Sequence, residues 1–117
     1  MRSIAGTARL LALAALVSLV GVLPLEAGTR VEHSVLRAMF PGTFSVRVNG
    51  IPATFVARGG GSLLGKAVIG SDSGRWSIRN GRLCIMLRNL YRGESRCSAV
   101  NRDGDWYQTR DFVFRKL

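Results

Sequence analysis

Two Asn-Gly dipeptides, Asn49-Gly50 and Asn80-Gly81, each flanked by residues that alternate between apolar and polar, constrain this chain more than any other feature. Both central positions of a two-residue type I′ turn need positive φ, which Asn and Gly tolerate, so each dipeptide predicts a tight antiparallel hairpin. Folding the chain at Asn49-Gly50 pairs Val48 with Ile51, Val46 with Ala53 and Phe44 with Phe55, all apolar and all on one face, with Ser45, Arg47 and Thr54 on the other. A slip of one residue would turn the apolar set to water, so burial sets the register. At Asn80-Gly81 the same folding pairs Ile78 with Leu83 and Trp76 with Ile85 on one face, and Ser77 with Cys84 on the other.

Further turn signals divide the remainder into short strands. Gly59-Gly60-Gly61-Ser62 leads into a third strand, Leu63 to Ile69, and Ser71-Asp72-Ser73-Gly74 reads as a turn into the fourth. Leu83 to Leu87 is apolar at every position, as expected of a strand covered on both sides, either by a helix or by a barrel closing on itself. A sixth strand spans Ser95 to Val100, Asp103-Gly104 predicts a turn that pairs Val100 with Tyr107, and Phe112 and Phe114 mark a last strand. Upstream, Val31, Val35, Leu36, Met39 and Phe40 form a helical stripe that Pro41-Gly42 ends. The expected fold is all-β: seven or eight antiparallel strands in meander order, forming a curved sheet or small lipocalin-like barrel behind one short N-terminal helix.

Before that domain, Arg2 and Arg9 precede an apolar run from Leu10 to Leu23, interrupted only by Ser18 and Gly21 and followed at once by Pro24 and Glu26. A span needs roughly 20 apolar residues, and this run has the length of a secretory h-region. Residues 1–27 are therefore expected to be a signal peptide cleaved near Ala27, and residues 28–117 a single exported domain, periplasmic or secreted, with no permanent membrane span. The small residues Ala27 and Gly28 suit the peptidase, whereas Leu25 is not the usual small residue at its position. Export also bears on Cys84 and Cys97, since an even cysteine count in a small exported domain reads as a disulfide. Such a bond requires Cys97 to share the face of Cys84, beside Met86 and Ala99. Arg96 and Ser98 then fall on the face of Trp76 and Ile85, so that edge is either wet or bulged.

The run Gly74-Arg75-Trp76, Gly81-Arg82-Leu83-Cys84, Cys97 and Asp103-Gly104-Asp105-Trp106-Tyr107, together with Phe40-Pro41-Gly42-Thr43 and Leu63-Leu64-Gly65, resembles small exported proteobacterial proteins grouped as the domain of unknown function numbered 995. The resemblance covers most of residues 28–117. Its motifs are a core tryptophan, a cysteine pair and turn glycines, and it implies no activity.

The charge is +10 over the whole chain; losing two arginines and one glutamate with residues 1–27 leaves +9, almost all of it arginine, with lysine only at Lys66 and Lys116. Such a surface attracts anionic partners, although arginine excess also follows from a GC-rich genome and keeps a small protein soluble. Arg75, Arg79, Arg82 and Arg88 share one sheet face by strand parity and are the candidate anionic contact. Trp106 or Tyr91 near that face would add platforms for nucleic-acid bases, but the compartment disfavours nucleic acid.

Catalysis finds little support. Gly60 to Lys66 reads GGSLLGK, but Ala67 stands where a P-loop needs Ser or Thr and no βαβ unit surrounds it. His33, the sole histidine, has only Glu32 as a neighbouring partner, Asp72 and Asp103 read as turn residues, and Glu94, Asp105 and Asp111 stand beside arginines. No cofactor, metal site or catalytic residue is expected. The chain reads as a non-catalytic domain that binds or supports an anionic envelope component, such as lipopolysaccharide or an acidic glycan. The alternatives are a periplasmic inhibitor, which its basic charge would repel from basic lysozymes, a small-ligand-binding lipocalin-like protein, for which the bulky apolar residues suggest too full an interior, and an enzyme.

Overall fold

The computed structural model describes residues 28–117, so the apolar run Leu10 to Leu23 and the expected cleavage near Ala27 lie outside the described residues. Strand β1 (Thr29–Arg30) and helix α1 (His33–Met39) precede a meander of β2 (Gly42–Val48), β3 (Ile51–Ala57), β4 (Ser62–Ala67), β5 (Gly70–Arg79) and β6 (Arg82–Leu87). The chain continues through β7 (Ser95–Ala99), β8 (Asn101–Asp103), β9 (Trp106–Gln108) and β10 (Val113–Lys116). Both Asn-Gly turns form where expected, with positive φ at Asn49, Gly50, Asn80 and Gly81, and both hairpins keep the register that burial demands.

All strands belong to one antiparallel sheet in the order β1-β8-β9-β10-β2-β3-β4-β5-β6-β7. β7 and β8 are successive lengths of one strand, separated only by the fully buried Val100. β7 pairs with β6 while β8 pairs with β9, so one bent strand carries both ends of the meander and the sheet curls into a nearly closed barrel. At the bend the Val100 carbonyl accepts the Val31 N–H at 2.8 Å, and β1 continues along β8 from there. The seam is looser on the other side of β7, where Ser98 Oγ accepts the Arg110 N–H at 3.0 Å.

The interior is filled at one end. Phe40 stacks on Phe44 with ring centroids 4.6 Å apart, and Phe114 meets Phe44 edge-on at 5.6 Å. Helix α1 covers this end with Leu36 and Met39 buried. Two ties hold it there: Lys116 Nζ donates to the Met39 carbonyl at 2.8 Å, satisfying a helix-end acceptor with a cation, and the Gly81 N–H donates to His33 Nδ1 at 2.9 Å. Trp76 completes the cover, packing on Phe40 and donating its indole N–H to the Arg58 carbonyl at 2.8 Å.

Several local expectations shift. The helix is shorter than Val31 to Phe40, because Val31 bonds to the sheet instead, and Val35 of the expected stripe is 46% exposed. The third strand ends at Ala67 and the chain reverses at Val68-Ile69; Ser71 to Gly74 lies within β5 and is not a turn. Gly74 serves close approach of strands instead, since a Cβ there would overlap the Met86 carbonyl. The last predicted turn slips, so that Tyr107 pairs with Arg102 and not with Val100. Gly104, at φ +67°, takes the first central position of that turn. This register leaves Tyr107 stacked on Phe114 at 5.4 Å.

Cys84 and Cys97 are directly opposed across β6 and β7 and form a disulfide, as the cysteine count and register require. The register runs without a bulge from Ser95 to Ala99, so of the two expected outcomes the wet edge is realised. Because the bond ties β6 to the strand that closes the barrel, the double substitution Cys84→Ala and Cys97→Ala is expected to lower unfolding free energy by about 3 kcal/mol, measured by denaturant titration under non-reducing conditions. Thiol titration of the unfolded wild-type protein should find no free thiol.

Candidate functional site: an open apolar cup and an arginine face

The end of the barrel away from α1 is not filled. The inward positions of β3, β4 and β5 near their hairpin tips are Ala53, Gly65, Ala67 and Gly70, and small side chains there leave a cavity of about 370 Å³. Phe55 and Leu87 form its inner wall, with Val48, Ile51 and Leu90 nearer the mouth. Phe55 lies across Gly65, where a Cβ would approach its ring to 2.9 Å, so this glycine is what lets the phenyl ring lie flat against the wall. The volume is at the lower end of the range for small-molecule sites, and the lining is mostly apolar, as such sites usually are.

The mouth exposes apolar side chains that no turn requires. Val68 and Ile69, at the tip between β4 and β5, are 96% and 80% exposed, and Leu90 and Ile51 are about half exposed beside them. Hairpin tips ordinarily carry Gly, Asn, Asp or Ser, and two β-branched residues here run against that chemistry. Lys66 lines the mouth, Arg47 and Arg88 are chain neighbours of the lining residues Val48, Leu87 and Asn89, and Arg92 follows Leu90 in the β6–β7 loop. All four are exposed and, among the described residues, without a carboxylate within ion-pair distance, and Arg47 lies over Trp106. Glu94 shares the β6–β7 loop with Arg92.

One side of the mouth is held by Asp72. Strand parity turns its carboxylate inward, where it accepts the Ser73 N–H at 2.9 Å, the Leu90 N–H at 2.9 Å, the Asn89 N–H at 3.1 Å and the Asn89 side-chain amide at 3.1 Å. Desolvation, the largest single influence, would raise its pKa, but the backbone and side-chain donors together outweigh it and hold the carboxyl below its ordinary value of 3.8. The sequence assigned Asp72 to a turn; the structure gives it the task of fixing the first residues of the β6–β7 loop over the cup.

Deeper in that loop, Tyr91 is buried beneath Arg96, whose guanidinium lies 4.2 Å from the ring centroid and pairs with Asp111 at 3.9 Å. Desolvation, and then the charge of Asp111, raise the Tyr91 pKa against the opposing effect of Arg96. This cluster makes polar use of the inward positions that the disulfide register imposes on β7. Ser98 does the same, donating to the Ala99 carbonyl and accepting from Arg110.

Arg75, Arg79, Arg82 and Arg88 are all exposed; the first three share the outer face of β5 and β6, with Arg79 directly opposite Arg82. Arg88 follows the last residue of β6, its N–H bonded to the Ser73 carbonyl at 2.9 Å. Arg75 also donates to the Gly60 carbonyl at 3.2 Å. Arg88 joins this face to the mouth of the cup. The aromatics that would have made a nucleic-acid platform are elsewhere: Tyr91 is inside, and Trp106 lies on β9 between Arg47 and Arg115, 5.5 and 4.9 Å from its ring. His33 has a backbone partner at Gly81 that the sequence did not suggest, and Gly60 to Lys66 forms a turn and strand β4. Among the described residues, no three His, Cys, Asp or Glu side chains converge as metal ligands, and no helix is long and apolar enough to cross a membrane.

Comparison with protein-family models, curated proteins and solved structures finds no match to this chain. The residues of the G-x-W and L-C pattern have structural duties here: Gly74 permits strand contact, Trp76 seals the filled end, Gly81 makes a turn and Cys84 is bonded.

Asp72 gives the site a pH signature. A carboxylate whose pKa is lowered by folding contributes stability that is complete above its unfolded value near 3.8 and disappears as pH falls through the folded value. Asp72→Ala is expected to destabilise the barrel by about 1–2 kcal/mol at neutral pH, through lost hydrogen bonds to backbone N–H groups. The gap from wild type should close as pH drops below the carboxylate range, as denaturant titrations at several pH values would show. Amide exchange at Asn89 and Leu90 should quicken at neutral pH.

Proposed function

We propose that this is an exported, non-catalytic barrel that binds an anionic amphiphile of the cell envelope, with the apolar part in the open cup and the anionic part against its basic rim. The cup of about 370 Å³, mostly apolar inside, with Lys66 at its lip and its one carboxylate, Asp72, bonded to loop amides, is the observation that carries this reading. An anionic headgroup would meet Lys66, Arg88 and Arg92 at the mouth, and a larger anionic component such as lipopolysaccharide or an acidic glycan could extend along Arg75, Arg79 and Arg82. Export rests on the signal-like residues 1–27 and accords with a disulfide-bonded barrel. The groups best suited to proton transfer already serve structure: His33 and Asp72 accept backbone N–H groups and Asp111 is paired with arginines, which supports binding over catalysis. Kinship with the proteins of the domain of unknown function numbered 995 belongs to the same proposal, on the pattern of Trp76, the cysteine pair and the turn glycines.

The cup is tested with a fluorescent fatty-acid probe in solution. Wild type is expected to bind it with an emission shift to the blue, and Ala67→Phe, which fills the mouth from β4, to weaken binding about tenfold or more while the fold is retained. Equal binding by both proteins would refute the cup. The arginine face is tested separately: substitution of Arg79 and Arg82 by Ser should lower salt-sensitive retention on immobilised lipopolysaccharide, with the fatty-acid affinity unchanged.

A further inference from the structure

We infer that the open end of the barrel docks end-on onto an anionic lipid surface, inserting the Val68-Ile69 hairpin tip among the lipids so that the cup opens toward the bilayer. This rests on the reading of the cup as an amphiphile site and adds where its ligand comes from. Three independent features of the same end support it. First, the most exposed large apolar residues of the described chain, Val68 at 96% and Ile69 at 80%, occupy adjacent positions at one hairpin tip, where turn chemistry favours small polar residues. Burying two such side chains in water-free surroundings is favourable, and leaving them in water has no compensation within the fold. Second, Ile51 and Leu90 lie exposed near the same mouth, so the apolar surface is a patch and not a single projecting residue.

The third feature identifies the occupant. Lys66 lines the mouth, and Arg88 and Arg92 belong to the β6–β7 loop whose Asn89 and Leu90 also line it. None of the three has a carboxylate in ion-pair range among the described residues, while Asp72 and Asp111 are committed to loop amides and to arginines and Glu94 is the one carboxylate of that loop. An apolar tip with an excess of basic residues beside it matches a surface that is anionic outside and hydrocarbon within, and long basic side chains reach headgroups while their stems stay near the acyl boundary. A second copy of this chain would bring like charges together at the same mouth, which opposes self-association there. Among the described residues the helix-covered end has no comparable tip: its exposed large apolar residues, Val35 and Leu117, stand apart on α1 and after β10.

The test uses protein purified from the full chain, and vesicles either of phosphatidylcholine alone or of phosphatidylcholine with phosphatidylglycerol. Wild type is expected to co-sediment with the anionic vesicles, less so as salt rises, and about tenfold more weakly or not at all with neutral ones. Val68→Ser combined with Ile69→Ser should weaken anionic-vesicle binding by about tenfold or more, and Lys66→Glu should weaken it as well. The protein assayed is the form from which the expected signal, residues 1–27, has been removed during export, so that vesicle binding reports the barrel alone. Binding that is equal for both vesicle types, or unchanged in the tip variant, overturns the docking. A concentration-dependent dimer that the tip substitutions abolish, without vesicle binding, overturns it in favour of self-association. The fatty-acid probe separates the two proposals: if the tip variant still binds probe and wild type ignores vesicles, only the docking fails, whereas loss of the cup shows as absence of probe binding in wild type.

Discussion

Everything in this barrel depends on one bent strand. β7 and β8 form a continuous stretch of chain that serves as the last partner of β6 and the first partner of β9, and the bend between them falls at the buried Val100. The backbone at that bend is not left unpaired, because Val31 supplies a donor to its carbonyl. The disulfide acts on the same element, fastening the β7 half to β6 just before the bend. Without this closure the sheet would present two open edges and an apolar inner face with nothing to cover it.

Closure produces two ends of opposite character from the same strands. Toward α1 the inward residues are large, and Phe40, Phe44, Trp76 and Phe114 fill the space between them. Toward the hairpin tips the inward residues of β3 to β5 shrink to Ala and Gly, and the interior opens. The bulky apolar residues that suggest a filled interior are gathered toward α1, and the other end holds the cavity. Bulk counted over the whole sequence does not reveal that it is distributed unevenly along the barrel axis.

What was legible in the sequence was local. The Asn-Gly turns and the register of both hairpins follow from turn chemistry and the two-residue period, the cysteine count points to the disulfide and so to a shared face for Cys84 and Cys97, and the structure has all of them. What failed was also local in appearance but tertiary in cause. Ser71 to Gly74 has the composition of a turn, yet Gly74 is needed for strand approach and Asp72 for a loop that lies seventeen residues on, at Asn89. Val68-Ile69 has the composition of a strand and makes the turn. The arginine face followed from parity alone, whereas the cup required knowing which strands meet across the barrel, and no residue type marks it in the chain.

The pairing of β10 with β2 sets Lys116 opposite Phe44, and this contact differs in kind from the hairpins beside it. Each hairpin closes a short loop and can form and dissolve independently on a microsecond scale, but joining β10 to β2 must gather nearly all of the meander first. Closing so long a stretch of chain carries a larger loop-closure cost than any of the hairpins does. A chain made from its N-terminus can close its hairpins in turn, but it cannot close the barrel until the final strand is available.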